Sequence, residues 1–277
     1  MSESLKLLNL NISCSTPWDE KKGLLKEVVL EENPDILCLQ EVAYDVHEDT
    51  ENRTQINKIA EMFGAKAFYA SLTHPYTRAE DGRYLLYHGP GIVILNNNIE
   101  VQGFETVEIY RGDDGNLGED RTFNNVAARL SIDGQDFIAM SMHFSAANRV
   151  YETAKTLAWI NDNASNTPLI VAGDLNSFDA RLGDGDVDTE FRKQLKDAWQ
   201  ELRQGEPGMT YFGTRWWSDN HPNSPTTKKL LGKGVEFADG RLDYVFYRGL
   251  NPRAIEQSTA GIPDLTDHTA LSFEFSL

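Results

Sequence analysis

Asn, Glu, Asp and His residues recur along this chain in one arrangement, each closing a short apolar run. The runs are Leu8-Asn9-Leu10-Asn11, Asp35-Ile36-Leu37-Cys38-Leu39-Gln40-Glu41, Gly173-Asp174-Leu175-Asn176, Arg241-Leu242-Asp243-Tyr244 and Thr266-Asp267-His268. Buried strands read as continuous apolar runs, and the polar residues just past their ends gather along one edge of the sheet. That edge would bring several carboxylates, two amides and a histidine around one point. Like charges held so close need a cation, and hard oxygen ligands suit magnesium or a similar ion. The chemistry implied is metal-assisted hydrolysis.

The elements that must position these residues are legible as periodicity. Lys6 to Ile12 reads as an opening strand. Asp19 to Glu32 carries Leu24, Leu25, Val28 and Val29 at helical spacing, and Asn33-Pro34 ends it. Asp35 to Leu39 is a short strand, and Arg53 to Phe63 a helix with Ile56, Ile59, Ala60 and Phe63 on one side. Strands at Ala65–Ala70 and Gly91–Leu95 flank a polar segment rich in aromatics. Asn124–Ile132 and Gln135–His143 form the clearest hairpin, because Asp133-Gly134 between them favours the positive dihedrals of a tight turn. Helices are expected at Val150–Asn161 and Thr189–Trp199, and strands at Pro168–Ala172, Leu242–Tyr247 and Ala270–Phe275. Strands and helices alternate but hairpins intervene, so a two-sheet α/β sandwich fits better than a doubly wound parallel sheet.

Each motif has an ordinary reading on its own. Asn11 can satisfy backbone groups at a strand end, and Asp174-Leu175-Asn176 can be an Asx-turn or a helix cap. Glu41 can be solvated where a strand emerges, Asp267 can cap a turn, and His143 and His268 can be core histidines bonded to a carbonyl. Five such coincidences in order, all at strand ends, are harder to accept than one active site.

Composition sets the limits. The 277 residues show no linker, repeat or low-complexity tract, so one domain over residues 1–277 is expected. An apolar share of 40% suffices for a substantial core. No apolar run approaches the ~20 residues of a membrane span, and Met1-Ser2-Glu3-Ser4 lacks a signal pattern. A cytoplasmic monomer is expected, although a secreted protein stripped of its leader would read identically. Cys14 and Cys38 make no disulfide framework. The net charge of -17, from 26 basic against 43 acidic residues, argues against gripping duplex nucleic acid through many phosphates. Small anionic substrates remain compatible, because a bound divalent ion inverts the local sign.

On Leu10-Asn11-Ile12, Pro34 to Glu41, Met142-His143-Phe144, Gly173 to Asn176, Arg241 to Tyr244 and Asp267-His268, the chain resembles the endonuclease/exonuclease/phosphatase superfamily, the DNase I-like fold of metal-dependent phosphoesterases. The resemblance spans residues 5 to 276. It implies a four-layer α/β/β/α sandwich, two mixed β-sheets flanked by helices, with the site at one rim between the sheets. It implies Mg²⁺ or Mn²⁺, with Glu41 as leading ligand and Asn11 and Asp267 close to the ion or its waters. Asp174 would deprotonate the attacking water and Asn176 would hold that nucleophile or a phosphate oxygen. His268 would bond a non-bridging phosphate oxygen, with Asp243 fixing its tautomer, and His143 would protonate the leaving oxygen or clamp phosphate. Ser13 stands where abasic-site nucleases carry an acidic residue. Those enzymes also lack the His143 equivalent, so the pattern leans towards the branch of DNase I, sphingomyelinases, inositol phosphatases and tyrosyl-DNA phosphodiesterase relatives.

The expected partner is a phosphate ester, either a small molecule or a nucleic-acid end; a non-catalytic binding module on the same fold is the contrasting class. Arg121 and Arg149 flank the hairpin that ends in His143, as phosphate contacts or as solvated surface charges. Met209 to Val235, with Trp216-Trp217 and His221, reads either as a rim loop that stacks a base or sugar or as a satellite cluster under a long loop. No Gly-x-Ser-x-Gly elbow, Walker loop or His-Glu-x-x-His helix occurs, and Asp184 to Asp188 fails as a calcium loop because Thr189 and Leu195 replace its Gly and Glu.

Overall fold

Alternation along β1 (Ser4–Asn11) sets the plan of the molecule. Leu5 and Leu7 turn to one side and join a core between two sheets, while Leu8 and Leu10 turn to the other and pack with helices. The structure is a computed structural model describing residues 4–14, 16–45, 54–78, 84–113, 120–145, 148–177, 187–220, 222–223, 225–232, 239–258 and 265–277.

After β1, the chain enters α1 (Trp18–Glu32), β2 (Ile36–Asp45) and α2 (Gln55–Phe63). Six strands follow: β3 (Ala67–Ala70), β4 (His74–Arg78), β5 (Tyr84–Ile94), β6 (Glu100–Asp113), β7 (Asp120–Ile132) and β8 (Gln135–His143). Next come α3 (Arg149–Ala164), β9 (Leu169–Asp174), α4 (Val187–Arg192), β10 (Lys196–Asp197), α5 (Ala198–Leu202), α6 (Thr214–Asn220) and α7 (Pro225–Gly232). The strands β11 (Asp243–Arg248), β12 (Asn251–Ser258) and β13 (Ala270–Ser276) close the described chain.

One sheet has seven strands in the order β12-β13-β1-β2-β5-β3, with β4 added on β5, and the other has six in the order β10-β11-β9-β8-β7-β6. Both are mixed: β1 pairs parallel with β2 and β8 with β9, and the other pairings are antiparallel. Three apolar layers follow. The middle one joins the inner faces of the sheets through residues such as Leu7, Cys38, Ala139, Ala172, Val245 and Phe273. Val28 and Ile59 of α1 and α2 cover the first sheet, and Leu157, Ile160 and Phe191 of α3 and α4 cover the second. Each fully buried Leu, Ile or Phe contributes roughly 1.5–3 kcal/mol relative to exposure. The expected four-layer sandwich is therefore the observed one.

The hairpin turn has Asp133 at φ 50 and Gly134 at φ 79, the positive pair that matches strand twist, with Ile132 facing Gln135. Three expectations are corrected. The helix expected over Thr189–Trp199 breaks into α4, β10 and α5, because Asp197 caps α5 by accepting from Trp199 N and Gln200 N. The strand expected to stop at Leu39 runs on to Asp45 through an irregularity. The aromatic segment before Gly91 is itself strand, as β4 and β5.

Candidate active site

Strand alternation carries polar residues into the gap between the sheets at one rim. In β1 the inner positions Leu5 and Leu7 are continued by Asn9 and Asn11; in β8, Phe137 and Ala139 by Ser141 and His143. In β9, Ile170 and Ala172 are continued by Asp174, and in β11 Val245 and Tyr247 are preceded by Asp243. Four of the expected residues thus share one cleft because each lies in step with a core position. Below them, Gln40 Nε2 donates to Asn9 Oδ1 at 3.0 Å and Ser141 Oγ at 3.1 Å, a polar tie joining the two sheets under the cleft.

Glu41 is out of step and reaches the cleft differently. Leu37 and Leu39 face outward, so regular pleating would turn Glu41 outward as well. Instead Leu39 pairs with Gly91 and Val42 with Gly89, so β2 spends one more residue than its partner. Glu41 adopts φ 55 in this bulge. The extra residue returns Val42 to the outer core and leaves the Glu41 carboxylate to the rim, where Oε1 accepts from Asn11 Nδ2 at 3.3 Å and Oε2 from Cys14 N at 2.8 Å.

Asp174 is the hub. It is 1% exposed, and its Oδ2 lies 3.1 Å from Asn11 Nδ2, 3.7 Å from His268 Nε2 and 3.8 Å from His143 Nε2. Its Oδ1 accepts from Asn176 N at 2.7 Å, an Asx-turn that holds Asn176 at φ 49. Asn176 Nδ2 in turn donates to Phe144 O at 2.8 Å. Gly173, next to Asp174, permits β9 to approach β8: a Cβ there would sit 2.0 Å from Met142 O.

His268 Nδ1 is 2.7 Å from Asp243 Oδ2, and Asp243 is fully buried. Burial opposes a charge on His268, but the Asp243 and Asp174 carboxylates outweigh it and raise its pKa to about 10. Burial lifts Asp174 to about 6, a rise that Asp243 reinforces and that His268 and His143 restrain. Near neutral pH the hub is then a carboxylate beside an imidazolium, with its pKa in the range useful to a general base.

The structure therefore brings together Asn11, Glu41, His143, Asp174, Asn176, Asp243 and His268. Asp267 precedes His268 and is half-buried; its main-chain oxygen accepts from Phe212 N at 3.3 Å. Arg149 is 8% exposed and donates through Nη1 to Asn176 O, so it buttresses the Asp174–Asn176 turn instead of lying solvated on the surface. Arg121 lies on β7 opposite Gly112, and its side chain is outside the described residues. Trp217 is 1% exposed and packs on Phe212 with ring centroids 6.5 Å apart, which makes it a satellite-cluster residue and not a stacking platform. His221 and the Trp216 side chain lie outside the described residues.

Sequence reasoning missed part of the wall. His88 continues the inner face of Ile92 and Ile94 in β5; its ring lies 5.6 Å from that of His143 and 4.6 Å from that of His74. Counting back by two from Ile92 would have found it. Tyr211 packs edge-on to His268 at 5.4 Å, from a segment with no periodicity to announce it.

The donor set suits a hard divalent ion. The oxygens nearest one another are those of Glu41 and Asp174, bridged by Asn11 Nδ2, and among the described residues no group of three His, Cys, Asp or Glu is placed to hold a metal ion by itself. Magnesium fits such an open set, since it keeps several waters and takes one or two carboxylates plus substrate oxygens.

Comparison with known proteins agrees with this fold. A family model described as "Endonuclease/Exonuclease/phosphatase family" matches residues 8–268. Nocturnin of Drosophila melanogaster is 24% identical over 254 residues, which are 83% of this chain and 36% of that protein. The chain thus spans about a third of that curated relative. The human Nocturnin catalytic domain, solved with a bound sulfate anion, superposes with a TM-score of 0.67 at 22% identity, covering 99% of this chain and 94% of its own. TDP2 of D. rerio, solved with a single strand DNA product, gives a TM-score of 0.64 at 16% identity and 99% coverage of both chains. At these identities the structural likenesses establish the fold.

Proposed function

The chain belongs to the endonuclease/exonuclease/phosphatase family, and on that premise we propose that it is a divalent-metal-dependent phosphoesterase in which Asp174 activates the attacking water. Family members are hydrolases of phosphate esters; the metal, the mechanism and the residue roles are our reading. The observation that carries it is the meeting at Asp174 Oδ2 of Asn11 from one sheet, His143 from the other and His268 just before β13.

In this reading Asp174 Oδ2 takes the proton of a water that attacks phosphorus in line with the leaving oxygen. Asn176 orients that water or a phosphate oxygen. His268, held cationic by Asp243, donates from Nε2 to a non-bridging phosphate oxygen, and His143 Nε2 protonates the departing oxygen. Glu41 would hold Mg²⁺ or Mn²⁺, with Asn11 and Asp267 near the ion or its waters; the ion would neutralise phosphate charge. In-line displacement needs mostly positioning and charge neutralisation, which these groups can supply.

Hydrolysis of a panel of phosphomonoesters, phosphodiesters and nucleic acids, with and without EDTA, tests the proposal. Turnover that requires the metal supports it; no turnover of any substrate in excess Mg²⁺ and Mn²⁺ would sink it. A nucleic-acid end is the second reading, motivated by the fold shared with TDP2 solved with a single strand DNA product. Its burden is a net charge of -17, which repels polyanions at long range. Digestion of single-stranded and duplex DNA and RNA at low salt separates the two.

A further inference from the structure

Lys21 lies on α1, has no part in the chemistry proposed above, and is fully buried at 0% exposure. An ammonium removed from water is costly unless it is bonded and its charge is balanced. Lys21 Nζ donates to Ile12 O at 2.9 Å and to Ser13 O at 2.7 Å. Those carbonyls belong to the loop that leaves β1 at Asn11. The peptide group whose oxygen accepts from Lys21 is the same one whose nitrogen, Cys14 N, donates to Glu41 Oε2 at 2.8 Å.

We infer that Lys21 is a positioning residue for Glu41, acting through the peptide group between Ser13 and Cys14. A peptide hydrogen-bonded to a cation at its oxygen is a stronger donor at its nitrogen, because the bonds polarise one another along the chain. The carboxylate one peptide away lowers the cost of burying the ammonium, and the ammonium holds the donor that fixes the carboxylate. Further restraints on the loop include Ser13 N donating to Asn11 Oδ1 at 3.0 Å, Ile12 N donating to Gln40 O at 3.0 Å and Thr16 N donating to Ser13 O at 3.3 Å, a second and longer bond to the oxygen that Lys21 holds. Ser13 itself sits at φ 51, a conformation that a non-glycine residue keeps only when its surroundings enforce it. Lys21 thus serves the two bulge and loop irregularities that give the cleft its leading oxygen ligand. The ammonium's own charge opposes a cation, so its benefit lies in holding the loop. The inference rests on Glu41 as that ligand.

The test compares the full chain with Lys21→Met, Lys21→Gln and Glu41→Gln. It measures the Mn²⁺ dissociation constant by calorimetry without substrate and the backbone amide proton resonance of Cys14. Glu41→Gln is expected to abolish Mn²⁺ uptake, and Lys21→Met to weaken it by about tenfold or more, as loss of a partner behind a ligand does. The Cys14 amide proton is expected to move upfield in all three variants, since each removes charge from one end of the same peptide; loss of packing alone would not reproduce the Glu41→Gln shift. If Lys21→Met does not fold, Lys21→Gln, which keeps a donor, carries the test. A wild-type Cys14 resonance and Mn²⁺ constant in the folded Lys21 variants, with uptake lost in Glu41→Gln, would overturn the role of Lys21 and leave that of Glu41. Unchanged uptake in Glu41→Gln would overturn the ligand assignment, and this inference with it.

Discussion

His268 Nδ1 and Asp243 Oδ2, 2.7 Å apart and buried, fix which ring nitrogen of His268 faces the cleft. With Nδ1 committed to Asp243, Nε2 is left to face Asp174, 3.7 Å away. Replacing His268 by Ala, or Asp174 by Asn, is expected to lower hydrolysis of bis-p-nitrophenyl phosphate by at least ~100-fold, the contribution of a positioned acid or base. Unchanged kcat/KM in both variants would remove them from the chemistry.

The pH profile should have two limbs. Asp174 must be ionised to accept a proton, so kcat/KM rises as pH passes upward through about 6. His268 must keep its proton, so the rate declines as pH approaches about 10. Asp174→Asn should erase the lower limb in whatever activity remains, and a wild-type profile flat from pH 5 to 8 would exclude Asp174 as the base.

Gly173→Ala should destabilise the fold. The added Cβ would stand 2.0 Å from Met142 O, main chain that cannot rotate away. The overpacking cost is roughly 3 kcal/mol. Thermal unfolding should show Tm lowered by several degrees, whereas Gly103→Ala, where a Cβ meets nothing within 4 Å, should leave it nearly unchanged.

Asp197→Ala tests the support behind β11. Arg241, 3% exposed, donates to both Asp197 oxygens at 2.8 and 2.9 Å, and Arg192 Nη2 adds a third bond at 3.1 Å. Removing the carboxylate strands the buried Arg241 and uncaps α5, a loss of about 3–5 kcal/mol. Denaturant unfolding measures it, and a change below ~1 kcal/mol would show the network to be dispensable.

Legibility in the sequence followed strand regularity. Asn11, His143, Asp174 and Asp243 could be read because each continues the two-residue period of a core strand. Glu41, Asn176 and His268 could be read as residue types but not as directions, since a bulge, an Asx-turn and the bridge to Tyr211 aim them. β6 escaped notice because register shifts at Val101/Gly103 and Glu108/Tyr110 break its period. β12 is an edge strand with a single buried residue, Ile255, so no apolar pattern marks it. Lys21 was hidden for the opposite reason: a lysine on a helix reads as solvent-facing unless the loop above it is known.

The additional residue in β2 also bears on how activity could be lost without touching any reactive group. Removing Val42 would restore an uninterrupted ladder with β5 and set Glu41 opposite Gly89, on the face that Leu37 and Leu39 turn to the covering helices. The Glu41 carboxylate would then face apolar side chains instead of Asn11 Nδ2 and Cys14 N. On the proposed role of Glu41, residue count along one strand decides whether the rim can hold its ion at all.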